Sequence, residues 1–291
     1  MPGSFPARTR RLRTEASVTL AKKLRTRLQQ REIVIAPGVY DALSAYRAEA
    51  AGFEAVFVSG SALAATHLAR PDIGLLTASE TAEIVARIGD RIEIPMLVDA
   101  DQGFGNAFAV GRTVGMLERA GASAIQIEDQ QEVKPANNPL SRLLISQEAM
   151  VDKIKAARDA LTDADVLISA RSDAMTTEGF ERALERVHAY VEAGADMVFV
   201  ESLTTRAQMD ELVRQMDGKA NLLHNLLRDT DEVTDAKTAQ QIGYSVALFP
   251  GTALGAVGAA LDRGFADLKN APELRGGGSK IDRIGADAYL K

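Results

Sequence analysis

The chain has 291 residues, 46% of them hydrophobic, and a formal net charge of −6. That length and apolar share suffice for a large buried core, and α/β barrels of about 250 residues fold as one domain; the acidic balance gives no electrostatic case for nucleic acid. The absence of cysteine excludes disulfides, thiolate metal sites and a cysteine nucleophile, and no apolar run reaches membrane-spanning length.

Residues 1–17, MPGSFPARTRRLRTEAS, are Arg-rich but lack the apolar segment of a secretory signal, so a tail outside the fold is expected, on a cytoplasmic protein. Leu20, Leu24 and Leu28 then recur at helical spacing, predicting a helix over 18–30. After it a unit repeats. A short apolar strand at 33–36 runs into Pro37-Gly38 and a helix from about Asp41 to Ala51, which Gly52 closes. The joint of helix end, glycine, short link and apolar strand recurs as ERAGASAIQI from Glu118, VEAGADMVFV from Val191 and QQIGYSVALF from Gln240. Strands are predicted at 33–36, 55–58, 95–98, 124–127, 166–170, 197–200, 220–224 and 245–249, with helices between them and a last helix over 252–268. Continuous apolar strands alternating with helices are parallel strands buried on both faces, and eight such units close into a (β/α)8 barrel over 18–268. An open doubly wound sheet is the structural alternative, but no G-x-G-x-x-G follows the first strand. Residues 269–291 read as a C-terminal tail with the breaker cluster Gly276-Gly277-Gly278.

In such a barrel the chemistry lies where the strands end. Those ends carry Tyr40 and Asp41, Ser59-Gly60-Ser61, Asp99 and Asp101, Glu128 and Asp129, Arg171 and Asp173, Glu201, His224 and Asn225, and Pro250. Asp99 and Asp101 lie two apart, so on a strand they share a face. With a third carboxylate on the next strand they make a nest for a hard cation such as Mg2+. Each member also has a plainer reading: acids after strands cap helices, Ser59 caps one too, and His224 on an apolar strand is a core histidine. Together, acids on one side and an arginine opposite suit a metal-held carboxylate substrate.

The motifs PGVYDALSA (Pro37–Ala45), VSGSALA (Val58–Ala64), RPDIGLLT (Arg70–Thr77), VDADQGFGN (Val98–Asn106), RTVGMLERAGASAIQIEDQ (Arg112–Gln130), SARSDA (Ser169–Ala174), AYVEAGADMVFVE (Ala189–Glu201) and His224-Asn225 occur in order over roughly 20–265. With them the chain resembles the isocitrate lyase and phosphoenolpyruvate mutase superfamily, above all its 2-methylisocitrate lyase branch. The resemblance implies Mg2+, or Mn2+, bound directly by Asp101 and through water by Asp99 and Glu128. It implies that Ser59, Gly60 and Ser61 hold the 2-oxo acid end of a small carboxylate substrate. It further implies that Arg171 clamps a carboxylate, that Asp72, Glu201 and Asn225 line the pocket beside Tyr40 and His224, and that a last helix is exchanged within a homo-oligomer, usually a tetramer.

One stretch departs from the lyase pattern. Where the lyases carry Lys-Arg-Cys-Gly-His, this chain has Lys134-Pro135-Ala136-Asn137-Asn138. Lys134 keeps its place as a catalytic candidate, Ala136 replaces the thiol that protonates the departing enolate, and Asn137 and Asn138 become substrate-binding candidates. Leu227 stands where the lyases have a threonine. Three readings remain open: carbon–carbon cleavage of another acid, with oxaloacetate-type decarboxylation favoured because superfamily decarboxylases also lack the cysteine; phosphonate chemistry, in which an asparagine occupies this loop; and a non-catalytic 2-oxo acid binder. The segment 130–145, long and interrupted by Pro135 and Pro139, is expected to gate the site.

Overall fold

A computed structural model of the chain describes residues 18–131 and 142–272. Eight strands, β1 (Val34–Val39), β2 (Val56–Val58), β3 (Met96–Asp99), β4 (Ala124–Glu128), β5 (Leu167–Ser172), β6 (Met197–Val200), β7 (Asn221–Asn225) and β8 (Val246–Phe249), close in sequence order into one parallel barrel. Each begins within one residue of its predicted start, and the pairing of β1 with β8 rules out the open sheet.

Helix α1 (Leu20–Leu28) precedes the barrel. Between the strands run α2 (Ala42–Ala50), the short α3 (Gly60–Leu63), α4 (Ala78–Gly89), α5 (Ala107–Arg119), α6 (Gln147–Ala160), α7 (Phe180–Glu192), α8 (Arg206–Met216) and α9 (Ala236–Ile242). The four repeated joints have one cause. Gly52, Gly121, Gly194 and Gly243 all adopt positive φ, from 92° to 123°, the left-handed conformation that ends a helix without a Cβ penalty.

The inner core follows strand alternation. Val34, Ala36, Ala55, Phe57, Leu97, Ala124, Leu167, Met197, Phe199, Leu223, Val246 and Leu248 form one buried cluster with Leu24 and Leu28 of α1. Helix α1 therefore stoppers the end of the barrel where the strands begin. Asp196, just before β6, fastens it there. Its carboxylate takes Arg25 at 3.0 Å, Arg158 from α6, and the N–H of Ile168 at 2.9 Å. That end is devoted to holding the barrel shut, and the polar residues gather at the other.

The chain parts into two compact units, one ending at Ala253 and the other beginning at Leu254. The second carries nearly all of α10 (Thr252–Asn270), a helix with no buried residue. Val257, Leu261, Phe265 and Leu268 are exposed on it, at spacings that put them on one helical face. No helix among the described residues is long and apolar enough to cross a membrane.

Candidate active site

Continuing the inner-face alternation by one or two more steps along each strand gives the site. From Leu97 it reaches Asp99, from Ala124 Glu128, from Leu167 Arg171, from Phe199 Glu201 and from Leu223 Asn225. On β1 and β2 it reaches Tyr40 and Ser59, both buried. These seven of the predicted residues share the inner ring at the strand ends.

Asp101 joins them by a different route. Strand β3 stops at Asp99, and Asp101 sits in the turn beyond with φ of +47°. Its N–H lies 3.3 Å from Asp99 Oδ1, and its carbonyl accepts the Glu128 N–H at 2.9 Å. This left-handed turn, which Asp tolerates better than most residues, swings the second carboxylate back beside the first. Both point over Gly60. A Cβ on Gly60 would lie 3.2 Å from Asp99 Oδ2 and 3.4 Å from Asp101 Oδ1, so the missing side chain leaves a small cradle between two acids.

The expected arrangement, with Asp101 directly on the ion and Asp99 and Glu128 reaching it through water, needs no three side chains in direct contact with one metal. Among the described residues no three His, Asp or Glu side chains are grouped closely enough to ligate one ion. Glu128 also faces Arg171, its Oε2 3.3 Å from Arg171 Nε. Two converging carboxylates and a glycine cradle still suit Mg2+, which takes oxygen ligands and keeps several waters in its shell. Ser59 caps α3, its Oγ accepting the Ala62 N–H at 3.4 Å and lying 3.1 Å from Ser61 Oγ. The plain capping reading of Ser59 is thus correct, and it leaves the N–H groups of Gly60 and Ser61 at a helix start, beyond the reach of intrahelical carbonyls.

Arg171 is half-buried at this rim, its guanidinium 5.4 Å from the Phe199 ring centre. Its Nε and Nη2 both donate to Asp173 at 3.0 Å, and Nη2 lies 3.4 Å from Glu201. Burial works against its charge, but Glu128, Glu201, Asp99 and Asp72 outweigh burial and raise its pKa. Asp72 therefore acts on the ring from the loop before α4. Asn225 Nδ2 donates to Glu201 at 3.3 Å.

Alternation also removes two residues from the ring. Adjacent residues on a strand face opposite ways, so Asp129 and His224 turn outward. His224 packs edge-on against Tyr244, ring centres 5.5 Å apart, and burial lowers its pKa, which keeps it neutral. Asp129 is fully buried and accepts from Tyr190 at 2.7 Å, from Ser172 at 2.8 Å and from the Asp173 N–H at 2.9 Å, with Arg186 at 3.4 Å. Burial, with Glu128 nearby, holds its pKa above the ordinary carboxylate value, and Tyr190, Ser172 and Arg186 offset only part of that rise. Asp129 thereby fixes the backbone of Asp173, which in turn holds Arg171.

Lys134, Asn137 and Asn138, with most of the expected gate, lie outside the described residues. The flanks of that segment are tied together. Gln131 N–H donates to Leu143 at 2.8 Å, Ile145 N–H to Asp129 at 2.9 Å, and Gln130 pairs with Leu144 in an antiparallel bridge. Arg142, on the second flank, donates to Asp173. It was not among the sequence candidates, because it follows no strand and belongs to none of the quoted motifs.

The profile of the phosphoenolpyruvate phosphomutase family matches residues 24–269. A 2-methylisocitrate lyase of Aeropyrum pernix is 47% identical over 231 residues, 79% of this chain and 73% of its own. A 2,3-dimethylmalate lyase of Eubacterium barkeri is 39% identical over 236 residues, 79% of each chain. Among solved structures, a 2,3-dimethylmalate lyase matches with a TM-score of 0.88 at 30% identity over 94% of each chain. An oxaloacetate acetylhydrolase bound to 3,3-difluorooxalacetate matches at 0.84 and 26% identity, covering 95% of this chain and 93% of its own. A phosphonopyruvate hydrolase in complex with oxalate and Mg2+ matches at 0.81 and 30% identity over 94% of each chain.

Proposed function

The chain belongs to the phosphoenolpyruvate phosphomutase family, within the isocitrate lyase and phosphoenolpyruvate mutase superfamily, and from that premise we propose a Mg2+-dependent carbon–carbon lyase that cleaves a small 2-oxo or 2-hydroxy di- or tricarboxylate through an enolate. The enzyme class is that of its lyase relatives. The observation that carries the reading is the pair of carboxylates, Asp99 and Asp101, converging over Gly60 in the same inner ring as Arg171.

Asp101 and Asp99 would hold Mg2+ or Mn2+, with Glu128 reaching it through water; a bound cation supplies Lewis-acid polarisation of the 2-oxo oxygen and a template for the substrate. The N–H groups of Gly60 and Ser61 and the hydroxyls of Ser59 and Ser61 donate toward the oxygen on which negative charge develops. Arg171 sets a fixed positive charge under the substrate. Glu201, Asn225, Asp72 and Tyr40 shape the rest of the ring. Lys134, Asn137 and Asn138 are assigned to the segment that completes the site, Lys134 as its cation.

Within this class we favour oxaloacetate-type decarboxylation, because the chain contains no cysteine. Phosphonate chemistry is the second reading, favoured by the likeness to a phosphonopyruvate hydrolase. A panel of oxaloacetate, 2-methylisocitrate, 2,3-dimethylmalate and phosphonopyruvate, assayed with Mg2+ and with chelator, separates the two. Turnover of a carboxylate is expected with the metal alone. Turnover of phosphonopyruvate only, or equal turnover in chelator, would overturn the reading.

The protein is further assigned to the cytoplasm and to a homo-oligomer. The apolar face of α10 supports the second assignment, since a 19-residue helix with no buried residue leaves Leu261 and Phe265 in water, and large exposed apolar faces mark interaction sites. Phe265→Asp is expected to reduce the mass measured by light scattering after gel filtration to that of a smaller species. A wild-type monomer, or an unchanged oligomer in the variant, would refute it.

A further inference from the structure

Strands β6 and β7 part before they end. Their pairing joins Met197 to Asn221 and Val198 to Leu222 and stops there, while β6 runs on beside β5 to Val200 and β7 runs on beside β8 to Asn225. Past the end of β6, Ser202 takes a φ of +67°, a left-handed turn that a residue with a side chain adopts at a cost. The wedge between the two strands holds a cavity of about 20 Å³, lined by Glu201, Ser202, His224, Asn225, Arg228 and Asp231 among others. A space of roughly 10–15 Å³ admits one water where polar groups surround it. The loops that follow the two strands are tied to each other, the Glu232 N–H donating to Thr204 at 3.0 Å and the Arg206 N–H to the Glu232 carboxylate at 2.7 Å.

His224 and Asn225 are neighbours on β7 that face opposite ways, yet both line the wedge. His224 is 4% exposed. Among the described residues neither of its ring nitrogens has a hydrogen-bond partner, and Asn225 Oδ1 is buried in the same condition. Buried polar groups are seldom left so, and the edge-on contact with Tyr244 satisfies neither nitrogen. Burial keeps the imidazole neutral against the pull of Glu201 and Asp231, and a neutral imidazole offers one N–H donor and one acceptor. The other end of the Asn225 amide, Nδ2, donates to Glu201 at 3.3 Å. In the closed ring of eight strands β7 lies four places from β3, and β6 four from β2. Glu201 and Asn225 therefore face Asp99 and the Gly60 turn across the barrel.

We propose that His224 is a positioning residue: through one water seated in the wedge it holds Asn225 Oδ1, which fixes the amide with Nδ2 on Glu201 and so sets the side of the ring that meets the part of the acid farthest from the metal. The imidazole N–H donates to the water, and the water donates to Oδ1. His224 does not touch the substrate. The inference rests on the carboxylate-lyase reading of the ring.

The test uses the full-length enzyme with Mg2+ and the variants His224→Phe and His224→Gln. Phenylalanine keeps an aromatic ring against Tyr244 and removes both nitrogens; glutamine keeps a donor and an acceptor and gives up the ring. His224→Phe is expected to raise KM for the best acid of the panel about 3- to 10-fold, as loss of one hydrogen-bonded link predicts, with oxalate affinity by calorimetry, which reports the enolate-forming end alone, within about twofold. Its melting temperature should match the wild type, and His224→Gln should recover part of the KM while melting lower. The chain has three histidines, so the imidazoles of the 15N-histidine-labelled wild type can be told apart by NMR, and His224 is expected in a single neutral tautomer, as a partnered ring nitrogen dictates. A wild-type KM in His224→Phe, a KM that rises in step with lost melting temperature in both variants, oxalate affinity and kcat/KM falling together, or a mixture of tautomers would each reduce His224 to a packing residue and overturn the proposal while the lyase reading stands. If the wild type neither binds oxalate nor turns over any acid, the lyase reading itself has failed, and the proposal with it.

Discussion

Asp101→Asn is expected to abolish Mg2+-dependent binding of oxalate, a mimic of the enolate of a 2-oxo acid. Asparagine is chosen over alanine for a conformational reason. Residue 101 has φ of +47°, a region that costs an ordinary L-residue about 1–2 kcal/mol and that Asp and Asn visit most readily. Asparagine keeps the turn, and with it the hydrogen bond from Glu128 N–H to the carbonyl of residue 101. What it removes is the charge. Mg2+ prefers anionic oxygen ligands, and the remaining acids are unevenly disposed, because Glu128 already faces Arg171 at 3.3 Å. Loss of a partner outside the ligand shell commonly weakens a metal site by roughly 10–100-fold; loss of one of two converging carboxylates should exceed that. Calorimetry of oxalate binding, with Mg2+ and with chelator, reads the effect. Wild-type affinity that survives chelation, or a variant that binds as the wild type does, would show that Asp99 and Asp101 do not form a metal seat.

The barrel was legible because its signals are local. Strand starts and the glycine joints depend on apolar runs and on single backbone conformations, which a sequence displays directly. Most of the ring was legible for a related reason: a period of two carries the inner face from Leu97 to Asp99 and from Leu167 to Arg171. The same period, applied strictly, separates Glu128 from Asp129 and Asn225 from His224. The sequence reading grouped each adjacent pair, and alternation would have split them. Asp101 is the opposite case. Its place beside Asp99 was expected from strand geometry, but β3 ends first and a left-handed turn does the work. No residue pattern announces such a turn when the residue is not glycine. Arg142 was illegible because its partner, Asp173, lies 31 positions away and the pairing depends on how a long connection folds back. The contact of Glu128 with Arg171 at 3.3 Å was not legible, because a motif names the residues of a site and not the charges that pair among them.

Turnover of 2-methylisocitrate by the wild-type enzyme is expected to fall below the typical enzyme range of ~1–10³ per second, by roughly the 10²–10⁴-fold that a positioned general acid supplies. Cleavage of this tricarboxylate leaves an enolate that needs a proton on the face vacated by the departing acid. The lyase pattern that the sequence resembles implies a thiol for this step, and this chain contains no cysteine. The described residues offer poor substitutes. His224 faces Tyr244 rather than the ring, and burial keeps it neutral. Tyr40 lies on the inner side, but burial and Asp41 raise its pKa and make it a weaker acid. The amides of Asn137 and Asn138 donate hydrogen bonds without giving up a proton near neutral pH. Decarboxylation asks less of the protein: carbon dioxide departs, and water can deliver the proton at leisure. Oxaloacetate should therefore outrun 2-methylisocitrate in kcat, and Ala136→Cys should raise the rate on 2-methylisocitrate while leaving that on oxaloacetate nearly unchanged. Wild-type cleavage of 2-methylisocitrate within the usual range, followed by release of pyruvate or succinate, would refute this and would mean that a residue other than a cysteine supplies the proton.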